Sequence, residues 1–161
     1  MYTQRYWDKY IGGTDDSLAL LDYLEYKHKE EITLEEIFSE TGLDKLDSFE
    51  ETGCLLVAPI DEYDEHICYA IILITDLAGL MLECKVSGSV NIGELRQNDT
   101  DCVIRITATA QEHALMNKAL LDFTTNPLNY DLSRVLGEEE TLEMAKACEE
   151  IRKEYMDNYN L

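Results

Sequence analysis

Hydrophobic positions along the chain follow a helical rhythm at both ends and a strand-like rhythm in the middle. Over residues 15–29, Leu20, Leu21, Leu24 and His28 share one helical face, with Asp22 and Glu25 off it. Thr14 or Asp15 can cap that helix. A second, short helix is expected from Thr33, where Thr33, Leu34, Glu35 and Glu36 have the form of a capping box, to a stop at Gly42. From Gly53 the period shortens. Residues 53–60 and 67–75 are near-continuous apolar runs, as expected of central strands. Residues 80–87 read as a third strand, with Leu80, Leu82, Cys84 and Val86 on one side and Glu83, Lys85 and Ser87 on the other. Residues 102–110 alternate strictly and read as a fourth, with Cys102, Ile104, Ile106 and Ala108 facing in.

Between the last two strands, residues 88–101 are turn-rich and read as a loop. Helix returns over 111–124, with Leu115, Ala119 and Phe123 at four-residue spacing, and Asn126-Pro127 breaks it. Residues 130–136 read as a short helical turn. A last helix is expected over 138–158, with Met144, Cys148, Ile151 and Tyr155 on its inner stripe. The order predicts a single α+β domain over 1–161: N-terminal helices, an antiparallel sheet of about four strands, and C-terminal helices.

Charge changes the picture. The 161 residues carry 34 acids against 13 Lys and Arg, a net charge of −21. That lies far outside the magnitude of about 2–8 that serves solubility in a small domain. Self-repulsion at this charge costs stability, which points to a function that uses it. Nucleic acid is disfavoured as a partner because phosphates would meet carboxylates, and anionic membrane for the same reason. A basic protein partner is favoured. Residues 15–65 hold seventeen acids and three lysines, so two-thirds of the excess lies in one-third of the chain. Asp61, Glu62, Tyr63, Asp64 and Glu65 sit between two apolar runs, as the tip of a β-hairpin would. If this tip packs beside the first two helices, Glu35, Glu36, Asp47, Glu50 and Tyr26 join it in one negative, aromatic-bearing, partner-binding face.

Candidate chemistry is sparse. The segment after the second helix, residues 44–51, stands where a helix-turn-helix protein has its recognition helix, but it offers four acids and one lysine. Asp76 followed by Glu83 and Lys85 is similar to the core of the restriction-type nuclease family, where acids hold Mg²⁺ and the lysine assists attack. His28, His66 and His113 lie far apart and show no zinc spacing. The acidic run at 61–65 lacks the glycine and terminal Glu of a calcium loop. Five cysteines without a CxxC pair read as reduced thiols. No catalytic residue, metal or cofactor is expected, and neither a signal peptide nor a membrane span.

The segment Tyr6-Trp-Asp-Lys-Tyr-Ile-Gly-Gly-Thr-Asp-Asp-Ser-Leu18, within a small, acidic chain without catalytic motifs, resembles the immunity proteins of contact-dependent growth inhibition and related polymorphic toxin systems. The resemblance implies a cytoplasmic, non-enzymatic inhibitor of a cognate toxin domain, commonly a cationic nuclease. A nucleic-acid mimic that inhibits a DNA-binding enzyme would share the electrostatics, and a Mg²⁺-dependent nuclease using Asp76, Glu83 and Lys85 is the enzymatic alternative.

Overall fold

The computed structural model describes residues 1–60 and 63–161, without the side chains of 53–60 and 63–65. An aromatic arm with a 3-10 turn at Thr3–Arg5 leads into helix α1, Asp15–Lys27. Thr14 caps α1 by accepting the Ser17 N–H, and the Ser17 side chain answers the Thr14 N–H. Strand β1, Glu31–Thr33, runs into α2, Leu34–Thr41, which Thr33 caps through the Glu36 N–H at 3.1 Å. Gly42, at φ 80°, ends α2, and a 3-10 turn at Leu43–Lys45 follows where a recognition helix would have stood.

Strands β2, Thr52–Ile60, and β3, Tyr63–Tyr69, pair antiparallel, so the expected hairpin is present. It ends earlier than its apolar run suggests. Residues 67–75 and 80–87 are not two strands. From Ala70 the chain is one helix, α3, Ala70–Ser87, closed by Gly88 at φ 88°. Every residue from Ala70 to Cys84 is buried, so the helix shows no polar face. Such a segment cannot be told from buried strands by periodicity, and its Ile-Ile-Leu-Ile-Thr run carries β-branched residues that favour strand.

The remaining elements are β4, Val90–Asn91; α4, Ile92–Arg96; β5, Val103–Thr107; α5, Ala110–Thr125; α6, Leu132–Leu136; and α7, Glu138–Tyr159. The predicted loop at 88–101 thus contains β4 and α4. The architecture is α+β with helices at both ends, as expected. Its described strands form two sheets, a β1-β5-β4 sheet and the β2-β3 hairpin. The β1–β5 pairing is parallel, with Ile32 opposite Ile106, which no meander would produce. Ile104 and Ile106 are buried on β5 as the alternation required, while Cys102 and Ala108 are half-buried at its ends. Met144, Cys148, Ile151 and Tyr155 form the buried stripe of α7 as predicted.

α3 is the axis of the core. Helices α1, α5 and α7, strand β5 and the N-terminal arm all pack on it. Two buried carboxylates of α3 hold the arm. Glu83 Oε2 accepts the Thr3 N–H at 2.7 Å and its hydroxyl at 2.8 Å. Asp76 Oδ1 accepts the Gly12 N–H at 2.8 Å. Between them Gly79 makes room for Thr3 and the Trp7 ring. Asp76, Gly79 and Glu83 fall at i, i+3 and i+7, one stripe of a helix. The arm also reaches α7, where Lys9 Nζ donates to Glu140 at 2.8 Å and the Tyr10 hydroxyl to Glu143 at 2.7 Å.

Candidate functional site

The nuclease alternative fails on geometry. Asp76 and Glu83 are buried and engaged with backbone N–H groups of the arm, while Lys85 is exposed, about 200° round the helix from Glu83. Burial raises the Asp76 pKa to about 7, against the Ser17 hydroxyl and the Gly12 N–H, which lower it; nearby Asp16 adds to the rise. Burial also pushes Glu83 up, but hydrogen bonds from Ser87 and Thr3 outweigh it and hold the carboxyl below its ordinary value. These are structural groups. His28 is exposed at the C-cap of α1, His66 is exposed on β3 and His113 is half-buried on α5. Among the described residues no group of three or more His, Cys, Asp or Glu is arranged to hold a metal ion.

The acids of α1, α2 and the segment that follows them include two sets. One set is engaged within the molecule. Asp16 is buried, and its two oxygens accept the Cys68 and Tyr69 N–H groups at 2.9 Å each, which fixes the hairpin where it enters α3. Asp22 and Glu25 both grip Arg96, the latter at 3.0 Å. Glu36 pairs with Lys27 at 3.1 Å and with Lys29, and these bonds, chiefly that from Lys29, lower its pKa against a burial effect that raises it. Glu40 takes Lys27 at 2.8 Å and the Tyr23 hydroxyl at 2.6 Å. Glu36, expected on the partner-binding face, is therefore neutralised locally.

The other set faces outward. Glu35 and Asp47 are exposed, Glu50 is half-buried, and none of the three side chains has an ion pair among the described residues. Tyr26 is 47 % exposed. Both strands of the hairpin pack on α1, and α2 packs on β2. Asp61 and Glu62 lie outside the described residues, as do the side chains of Tyr63, Asp64 and Glu65.

Asp47 leads to a feature the sequence reading missed. A groove of about 360 Å³ opens between residues 46–49 and α5, lined by Leu46, Phe49, Leu115, Ala119 and Tyr130, with Asp47, Asp122 and Lys118 at its walls. The 46–52 segment is sewn in place there. The Asp131 N–H donates to the Glu50 carbonyl at 2.8 Å, and the Thr52 N–H to Asp131 Oδ2 at 3.0 Å. The Tyr130 hydroxyl donates to Asp122 at 2.6 Å; burial and that carboxylate, with Glu50 adding to them, push the phenol pKa up. Leu115, expected on the inner face of α5, is instead 43 % exposed at this groove, and the buried stripe is Met116, Ala119, Leu120 and Phe123. The available signal was the spacing of Leu115 and Asp122, two turns apart on one helix.

A family model for immunity protein 68 matches residues 2–155, nearly the whole chain. The chain belongs to the immunity protein 68 family. It is thus an immunity protein of a polymorphic toxin system, one whose role is to neutralise a cognate toxin by binding it. No curated protein and no solved structure matches this immunity protein. No helix of the described residues is long and apolar enough to cross a membrane.

Proposed function

We propose that this immunity protein neutralises its toxin by stoichiometric binding in the cytoplasm, without chemistry of its own, and that the toxin presents a basic surface such as a nuclease site. The bound face comprises Tyr26 of α1, Glu35 of α2, the acidic run Asp61, Glu62, Tyr63, Asp64 and Glu65, and the groove beside Asp47 and Glu50. The observation that carries this reading is charge left uncompensated. Thirteen cations cannot neutralise 34 acids; Glu35 stands exposed on α2, and Asp47 stands exposed at an aromatic-lined groove. Carboxylates on such a face steer a basic partner and pair with its Lys and Arg, while Phe49 and Tyr26 supply apolar area.

The test is binding to the toxin domain encoded beside this gene. Wild-type protein is expected to form a one-to-one complex whose association rate falls by about tenfold or more as salt rises from low to high ionic strength. Glu35→Lys combined with Asp47→Lys should slow association further and weaken protection of cells that express the toxin. An association rate indifferent to both salt and charge reversal would dispose of the acidic face. Inhibition of several unrelated DNA-binding enzymes, instead of one toxin, would favour the nucleic-acid mimic.

A further inference from the structure

On the other side of α5 from the acidic groove lies a cleft of opposite character. His113 projects there, while Leu115, Lys118 and Asp122 of the groove project from the opposite side of the helix, about 140–200° away. The cleft holds about 190 Å³ where the end of α3, β5, the first turn of α5 and the last turn of α7 meet, and Lys85, Arg105, Thr107, His113 and Tyr159 line it.

Its hydrogen-bond donors are not consumed internally. Lys85 Nζ lies 5.4 Å from the centre of the Tyr159 ring and makes no ion pair among the described residues. Arg105 has Glu31 at 3.9 Å, with side chains 61 % and 57 % exposed, a pair worth little in water. Glu112, nearby on α5, is engaged in capping, accepting the Thr109 N–H at 2.8 Å. His113 Nδ1 stands 2.5 Å from the Tyr155 hydroxyl, whose other neighbour, the Met81 sulfur, is 3.7 Å away and a weak acceptor. The His113 ring is packed against Tyr159, with centroids 3.9 Å apart, so it is held in place. In a molecule of net charge −21, Lys85, Arg105 and His113 line one pocket, where Glu31 pairs only loosely with Arg105 and Glu112 serves as a cap.

We propose that this cleft is an oxyanion site, and that its occupant is a carboxylate side chain of the bound toxin. This second half rests on the toxin-binding reading above. The volume suits a carboxylate and its adjoining methylenes and is below the roughly 300 Å³ at which pockets for larger ligands begin. A free anion is repelled on its approach to so acidic a protein, whereas a carboxylate on a docked partner is carried in by the partner. Beyond about 8 Å the protein's other charges are largely screened at physiological salt, so the field inside the cleft is set by Lys85 and Arg105 together with Glu31 and Glu112. The immunity protein thus offers its partner an acidic face and, round the same helix, a cationic socket that rejects partners lacking an acid at that point.

The test has two arms. On the isolated protein, acetate and inorganic phosphate are titrated against sodium chloride at equal ionic strength, with backbone and imidazole chemical shifts as the readout. Both oxyanions are expected to move His113 and Thr107 selectively, with dissociation constants of about 1–10 mM. The response should vanish in a Lys85→Gln/Arg105→Gln variant with unchanged circular dichroism. No selective response, or one that persists in the variant, overturns the oxyanion site whether or not the protein binds a toxin. In the second arm the same variant is bound to the toxin domain. A loss of about tenfold or more in affinity is expected. Unchanged affinity alongside a positive first arm overturns the toxin carboxylate as occupant and leaves a site for a free oxyanion. A wild-type protein that binds no toxin fails the functional reading instead and removes the toxin carboxylate with it, and the first arm still decides the site.

Discussion

Asp76→Asn tests whether the core carries an ionisable group at a cost. Asp76 is fully buried, one oxygen holds the Gly12 N–H at 2.8 Å, and Oδ2 has no hydrogen-bond partner among the described residues. Burial, chiefly, raises its pKa from 3.8 to about 7. In the unfolded chain the carboxyl loses its proton near the lower value, and in the fold it keeps it up to the higher one. Between the two, the folded state binds more protons, so stability falls as pH rises and is flat above about 7. The interval corresponds to roughly 4 kcal/mol as an upper bound on the penalty for the charged form. Asn keeps the carbonyl acceptor for Gly12 and does not titrate, but its amide N–H groups are buried without partners, at a cost of about 1–3 kcal/mol. At pH 8 the variant is therefore expected to be more stable than the wild type by at most about 3 kcal/mol, the first figure less the smallest amide cost.

Urea unfolding from pH 4.5 to 8.5 measures this, with Trp7, the single tryptophan, as a probe that packs beside Gly12 and Gly79. The decisive quantity is the difference between variant and wild type, which should grow with pH up to about 7 and then level off. Asp16 is also raised, mainly by burial, and gives both proteins a slope of the same sign, which cancels in the difference. Glu36, Glu83 and Glu149 are lowered, so their contributions are present above the ordinary carboxylate pKa and are lost only at more acid pH. Parallel stability profiles for the two proteins would refute the reasoning.

Other substitutions probe the arm that α3 holds. Gly12→Ala should cost about 2 kcal/mol or more by urea midpoint, since Gly12 has φ +82° and the Trp7 ring occupies the space a Cβ would need. Gly79→Ala should stabilise the protein by about 0.5–1 kcal/mol, because the nearest atom to a new Cβ is Thr3 Cγ2 at an ordinary 3.6 Å and a helix interior prefers Ala. Glu83→Ala leaves the buried Thr3 N–H without its acceptor and the Thr3 hydroxyl with only the Gly79 carbonyl at 3.4 Å, and should cost about 1–3 kcal/mol, with faster amide exchange in the first dozen residues.

The elements bounded by local chemistry were legible in the sequence. Thr14, Thr33 and Gly42 sit at helix ends because side-chain caps and a left-handed glycine act over three or four residues, and the structure uses all three there. α3 was not legible as a helix. Its apolar residues surround it, and what makes it a helix is non-local: α1, α5, α7 and β5 packed round it. The polar residues held the missed signal. Asp76 and Glu83 are seven apart with Gly79 between them, a spacing that aligns them on a helix and puts Asp76 and Glu83 on opposite faces of a strand.

The candidate site shows the corresponding limit for charge. Counting acids over residues 15–65 treats each carboxylate as available, yet Asp16 is bonded to backbone N–H groups, Asp22 and Glu25 hold Arg96, and Glu36 and Glu40 hold Lys27 and Lys29. Arg96 lies seventy-one residues beyond Glu25, so no local count could pair them. These pairs sit at helix surfaces, where each contributes about 0–1 kcal/mol, so their main effect is on the field. They cancel part of the charge along α1 and α2 and leave Asp15, Glu30, Glu35, Asp44, Asp47, Glu50 and Glu51 without an ion pair among the described residues. On the proposed reading a basic partner meets the 46–50 edge of the groove, which Phe49, Leu115 and Tyr130 line. Charge reversal changes the net charge by two units at Glu36 as at Asp47, so a larger loss of association on reversal at Asp47 is the expected mark of contact at the groove, and equal losses would refute it.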